Sequence, residues 1–578
     1  QTWAYHVKAG ASQPWYSPIT LKVNWLNNGK ELKNFVDKNG KLRSRPQNLQ
    51  YYFRPGFSWT LRAVRFIPYL IPSGCIPSVS RYMAFPRQGN ELEAMIISAS
   101  RVASAYLRFY GEFWQRPKYL VETLKSLPWP KFDREQQGYF INQILADIQR
   151  RRKAYQNFEP FHEFVLPVLI KDFSDKGHAL AYDPSTLIGE EAERWVSEAY
   201  GFNKQSSRRI ERDLNEAIAF KFGNDSGDST DNDEGNSQEK DYVIDKSEYS
   251  TYETSISYVL GCSFGRWDIC YATGEKILPE LPDPFAPLPT CPPGMLQNTQ
   301  NLPAELQDVP VDYPLRITWP GVLTNDKGHH EDIARRIREA LLVIWGENAE
   351  SIEAEACQIL GVDSFRAYFQ KPNLFFADHL KRYSKSRRQA PIYWPLSTVS
   401  GSYTLWLYYH RINDQILFTC VNDFVDPKLK QVAEDSARLR QKSARSSGEE
   451  NQLERLVDFE SELKDFRAEL LRVAAFWKPN LNDGVQITAA PLWRLFKHRP
   501  WQKRLRTAWE KLETGEYDWA HLAYSIWPDR VSKKCKTDKS FAIAHDLEHL
   551  YQEAKTDKPP KRSVKKSGQA ELNLDLSD

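Results

Sequence analysis

No apolar run in this 578-residue chain approaches the roughly 18 residues that a membrane helix needs, and no signal peptide is recognisable. There is no GxxxxGK[ST] loop to cradle a phosphate and no GxGxxG dinucleotide fingerprint. The seven cysteines form no CxxC pair, and their odd number argues against a secreted disulfide framework. A soluble, cytoplasmic protein in a reducing compartment is therefore expected. The chain starts at Gln1 without an initiator Met, which suggests a piece of something longer. The most informative absence is local: residues 41–90 contain no Asp or Glu.

That stretch carries Lys41, Arg43, Arg45, Arg54, Arg62, Arg65, Arg81 and Arg87, interleaved with Tyr51, Tyr52, Phe53, Phe57, Trp59, Phe66, Tyr69, Tyr82 and Phe85. The whole protein has a net charge of only +3, whereas residues 1–130 hold 18 Lys and Arg against six acids, a local +12 that leaves −9 elsewhere. Such segregation points to a surface that meets a polyanion, nucleic acid above all. A hydrophobic content of 41% with 18 Trp and 28 Tyr marks a globular, aromatic-rich chain, and its length suggests three or four units.

The expected class is α+β and multidomain. A basic, β-containing unit spans 1–130, with strands at 21–25, 51–53 and 58–66, turns at Asn27-Asn28-Gly29, Asn39-Gly40 and Pro55-Gly56, and helix from 91 to 125. A helical domain follows at 131–222, and a disordered acidic linker at 223–240. Next come a loop-rich unit at 241–345, proline-rich over 278–293, and an α/β unit at 346–428 with a basic-aromatic segment. A helical hairpin at 429–477 turns at Ser446-Ser447-Gly448 and carries Leu456, Leu463, Phe466, Leu470 and Val473 on one face. An α-rich unit at 478–555 precedes a disordered tail at 556–578.

Three short patterns invite catalytic readings. Gly261-Cys262-Ser263-Phe264-Gly265 has the form of a nucleophile elbow, but no β/α alternation surrounds it and Arg266-Trp267-Asp268 reads as packing and ion pairing. His545-Asp546-Leu547-Glu548-His549 has the H-x-x-E-H spacing, which sets two imidazoles on one helical face, yet no third ligand is evident. Asp458, Glu462 and Lys464 lie on the expected hairpin, away from any sheet. No catalytic, cofactor-binding or metal-binding residue is assigned from these.

Tyr52-Phe53-Arg54-Pro55-Gly56-Phe57-Ser58-Trp59 followed by Leu70-Ile71-Pro72-Ser73-Gly74-Cys75-Ile76 resembles the target-recognition region of large adenine-specific DNA methyltransferases. These are the type IIG restriction-modification enzymes and their relatives in BREX and DISARM phage defence. Later segments are similar to the C-terminal halves of such enzymes: residues 261–268, residues 384–394, and Asn482-Asp483-Gly484-Val485. Family members bind S-adenosylmethionine at a glycine-rich loop and hold a flipped adenine at an Asn-Pro-Pro-Tyr-type motif. Neither motif is in this sequence, and Cys291-Pro292-Pro293-Gly294 lacks both the polar acceptor and the aromatic. The resemblance thus implies the DNA-binding specificity portion of a site-specific adenine-N6 methyltransferase. The S-adenosylmethionine-dependent catalytic domain would lie N-terminal, on this or another chain.

The candidate DNA contacts are Lys8, Arg54, Arg62, Arg65 and Arg81, with Ser58 and Trp59 in support, and a second set, Lys385, Arg387 and Arg388, beside Tyr393 and Trp394. Arginine can anchor phosphate or read guanine edges bidentately. The expected partners are double-stranded DNA, the methyltransferase domain and other defence-system proteins, with no membrane. An RNA-binding protein and a non-catalytic assembly protein remain open alternatives.

Overall fold

The computed structural model describes residues 3–7, 13–36, 41–44, 46–61, 63, 65–78, 82–86, 91–110, 118–171, 187–223, 251–385 and 388–552. The expected linker beyond residue 223 and the expected tail lie outside these. Helices dominate and the strands fall into several small sheets, an α+β, multidomain architecture.

The first unit is built on two sheets. In one, the strand Trp3–Val7 lies between Leu21–Asn24, antiparallel to it, and Cys75–Pro77, parallel to it. The other has the order Trp15–Tyr16, Pro68–Ile71, Gly56–Trp59, Met83–Ala84. Strand alternation sorts its side chains: Phe57, Trp59 and Leu70 enter one core, while Tyr69 and Ile71 on the opposite face join Tyr5, Val7 and Cys75. The first of these cores also takes in Phe140, Ile144 and Ile148 of the helix Arg134–Tyr155 and Val196 of Glu190–Ala199.

The turn expected at Asn27-Asn28-Gly29 is present as three successive left-handed residues with φ of 50°, 59° and 70°. Asn and Gly tolerate that region best. Among the described residues no strand forms at 51–53, and the one expected at 58–66 is extended only as far as Trp59, in Gly56–Trp59. Asn48 at φ 57° opens a single 3₁₀ turn, Leu49–Tyr51, and Phe53 is itself left-handed at φ 67°. Two reversals so close together leave no extended run to pair, so β-propensity yields to turn geometry.

The larger core belongs to the C-terminal part. A three-stranded antiparallel sheet of Tyr393–Ser397, Thr404–Tyr408 and Val322–Thr324 is buried, and helices including Thr251–Ser263 and Ile333–Trp345 join the same core. The hairpin expected at 429–477 is the helix pair Asp426–Arg440 and Ser447–Ala474. Ser446 and Glu449 form a capping box at its turn, and Leu463, Phe466, Leu470 and Val473 are buried.

Long-range contacts join the units. The proline-rich segment straps the first one: Tyr5 donates to the Pro289 carbonyl at 2.9 Å, and the Ser73 amide to the Phe285 carbonyl at 3.0 Å. From the far end of the chain, Asn482 Oδ1 accepts from Trp3 Nε1 at 3.1 Å, Ser540 Oγ accepts from the Val36 amide at 2.9 Å, and Glu548 pairs with Lys30.

Candidate nucleic-acid interface

The tight turn at 48–53 decides what the basic stretch displays. It brings Tyr51 against Phe85, their rings stacked with centroids 5.0 Å apart and 21° between planes. The Arg54 guanidinium lies 5.6 Å from both centroids. Arg54 is exposed and makes no ion pair among the described residues. Tyr51 and Phe53, each 38% exposed, flank it, and Arg43 is exposed nearby in sequence. Stacking over aromatic rings restrains an arginine without using up its donors, so the fork remains free for a bidentate acceptor.

The other candidates fare differently. Arg65 is 1% exposed, with Nη2 3.0 Å from Glu193 Oε1 and 2.5 Å from the Ala99 carbonyl. It is a buried structural cation with no face for phosphate, a correction to the sequence expectation. Charge pattern cannot distinguish an arginine awaiting a partner from one already neutralised across 128 residues. Burial pushes the Glu193 carboxyl upward, while Arg65 and the Arg101 amide favour its ionised form. Ser58 and Trp59 are likewise buried, at 0% and 1% exposure, and Trp59 donates to the Tyr119 carbonyl at 3.0 Å. They hold the strand behind the turn and do not reach solvent. Lys8, Arg62 and Arg81 lie outside the described residues.

The second set sits on a two-stranded ribbon, Ser384–Lys385 paired with Arg388–Gln389, in which Arg388 is exposed. Arg387 and the Lys385 side chain lie outside the described residues. The neighbouring aromatics Tyr393 and Trp394 are fully buried, so they cannot stack on a base in this state. Arg382 and Tyr383, at the root of the ribbon, bind Glu159, which also pairs with Arg266 at 3.2 Å. Arg266 lies 4.2 Å above the Trp267 ring. Arg266, Trp267, Arg382 and Tyr383 thus meet around Glu159 in one buried ionic and aromatic knot. His379 accepts the Ile392 and Tyr393 amides on one ring nitrogen, and burial lowers its pKa well below the ordinary value.

The catalytic-looking patterns resolve into structure. Ser263 is buried and donates to the Val259 carbonyl, and a Cβ on Gly261 would lie 2.3 Å from Trp267, so residues 261–265 are the close-packed end of the helix Thr251–Ser263 and the turn that follows it. The helix Lys539–Ala544 ends before His545, and Asp546 is left-handed at φ 56°. His545 and His549 therefore do not share a helical face, contrary to the spacing argument. Among the described residues no cluster of His, Cys, Asp and Glu could hold a metal. Glu462 accepts from Ser400 and Ser402 and fixes the turn between two core strands. Gly294 donates its amide to the Phe164 carbonyl, and a Cβ there would lie 2.3 Å from the Val165 carbonyl oxygen. Residues 291–294 are a close-packed turn.

Sequence reasoning missed the roles of Tyr51 and Phe85. Their signal was the alternation of rings with cations; their stacking across 34 residues required the fold.

No family model matches the chain. It is 23% identical over 527 residues to the adenine-specific methyltransferase BrxX of Escherichia coli O9:H4 (strain HS), covering 84% of this chain and 39% of that protein. It is 22% identical over 474 residues to the adenine-specific methyltransferase PglX of Lacticaseibacillus casei (strain Zhang), covering 77% of this chain and 35% of that protein. The chain thus spans about two fifths or less of the length of the relatives it matches. No helix among the described residues is long and apolar enough to cross a membrane.

Proposed function

We propose that this chain is the DNA-binding specificity portion of a site-specific adenine-N6 DNA methyltransferase acting in restriction-modification or phage defence. The S-adenosylmethionine-binding and catalytic domain lies outside the chain given, on the same or another polypeptide, and other defence-system proteins are further partners. Arg54 carries the reading: an exposed guanidinium, held over a stacked Tyr51–Phe85 pair, in a stretch without a single acid. Similarity to two adenine-specific methyltransferases supports the reaction class. In this reading Arg54 reads a base edge, and Lys8, Arg62, Arg81, Lys385, Arg387 and Arg388 contact phosphate. Ser58, Trp59 and Arg65 support the surface from within.

Duplex binding tests this directly. Arg54→Ala should weaken binding to the preferred sequence by about 1–3 kcal/mol and flatten preference at one base position. Affinity for the unaltered chain should fall steeply between about 50 and 200 mM salt as phosphates release counterions. Binding indifferent to both changes would defeat the reading, and stronger binding to single-stranded RNA than to duplex would favour the RNA alternative.

A further inference from the structure

A second acid-free segment lies far from the first. Residues 484–509 contain no Asp or Glu but hold Arg494, Lys497, Arg499, Lys503, Arg504 and Arg506. The helix Arg499–Glu513 explains how they are displayed. Trp501, Leu505, Ala508 and Leu512, spaced by three or four, are buried. The intervening Arg499, Lys503 and Arg506 are exposed on the other side. Trp493, just before the helix, lies 5.3 Å from the Arg494 guanidinium and 5.4 Å from that of Arg506.

A solvated helix usually offsets cations with acids at i+3 or i+4. Here Arg499 and Lys503 are four apart and Lys503 and Arg506 three apart, so like charges face each other at a small cost in stability. Arg506 meets Glu510 at 3.0 Å and Arg494 meets Glu469 at 3.7 Å. Arg499 and Lys503 have no ion pair among the described residues. The asymmetry leaves a cationic ridge beside a ring flanked by two guanidinium groups. Duplex DNA, with one negative charge per about 1.7 Å of axis, is the partner whose charge complements it best. The part of the chain that carries the ridge also carries Asn482 and Ser540, the residues bonded to Trp3 and Val36 of the first unit.

We infer that this helix face is a further, sequence-independent contact to the phosphate backbone of the same duplex. The inference rests on the proposed DNA-binding function and assigns to the C-terminal part a share of affinity, while discrimination stays with Arg54. The test uses the full chain with Arg499, Lys503 and Arg506 all changed to Gln, which preserves helix propensity on an exposed face. Binding is measured on a pool of random-sequence duplexes across a salt series. The slope of log affinity against log salt should shrink by about 2–3, since each lost phosphate contact removes close to 0.9. The ranking of sequences within the pool should not change. Lys503→Glu alone is a second arm and should weaken binding at low salt. An unchanged slope and affinity in both, while Arg54→Ala still weakens binding, overturns this inference and leaves the function standing. Failure of the unaltered chain to bind any duplex overturns both.

Discussion

Arg54 and Arg65 stand eleven residues apart in one acid-free stretch, and their fates are opposite. Arg54 ends on a turn with its fork in solvent, whereas Arg65 is buried against Glu193. Taking a charge into the interior is tolerable only with its partner present, and removing one member strands the other. Arg65→Ala should therefore destabilise the first unit by about 3–5 kcal/mol, read as a lowered melting temperature or denaturant midpoint, because Glu193 would be left buried with only the Arg101 amide and the more distant Arg101 guanidinium to hold its charge. A variant that keeps full stability and loses DNA affinity would return Arg65 to the interface. The basic stretch thus contains at least two kinds of arginine, and only burial separates them.

At the scale of elements, the segment Asn482-Asp483-Gly484-Val485 shows how a short motif serves construction. Gly484 adopts φ 84° and ψ 161°, a region essentially restricted to glycine. The turn points Asp483 at the start of the helix His521–Ile526, where it accepts from the His521 and Leu522 amides at 2.8 and 2.7 Å. It also meets the His521 ring at 2.9 Å. The hydrogen bond that the His521 ring donates to Asp483 raises the His521 pKa above its ordinary value, with Glu31 and Asp546 adding to it and burial opposing. The folded state consequently holds the His521 proton to a higher pH than the unfolded chain. The resulting stabilisation is complete below about pH 6.5 and is lost as pH rises through the folded value. His162, which burial lowers to about 3, acts in the opposite sense and contributes less stability as pH falls below about 6.5. The difference in melting temperature between the unaltered chain and His521→Gln isolates the first effect and should shrink as pH is raised from 6 to 9. A difference that grows over that range would contradict the assignment.

Across the whole molecule, the basic unit is embedded. Its core draws on residues to either side of position 130, including Phe140, Ile144, Ile148 and Val196, and the central strand of its first sheet is tied to Asn482. A fragment ending at residue 130 should lack a cooperative thermal transition, because those buried side chains supply much of the apolar surface against which Phe57, Trp59 and Leu70 pack. A sharp melt for that fragment would show that the strands stabilise themselves. The same connectivity offsets part of the basic charge of the first unit: Glu193 from a later segment pairs with Arg65, and Glu548 from the far end pairs with Lys30.

Charge, turn chemistry and periodicity are local, and the sequence alone carried them: the turn at the two left-handed asparagines before Gly29, the hairpin turn at Ser446, the ridge of Leu463, Phe466, Leu470 and Val473, of which the expected Leu456 is only half-buried, and the basic character of residues 41–90. What it could not carry was pairing across distance. The partner of Arg65, the stacking of Tyr51 on Phe85, and the knot around Glu159 each join residues separated by at least 34 positions. Nor did it carry the end of the helix Lys539–Ala544 before His545, beyond which Leu547 packs against the C-terminal core. Tertiary structure decided which cations face water and which are already answered by a carboxylate. Burial is a property of the folded whole, and it separates a solvent-facing arginine from a structural one.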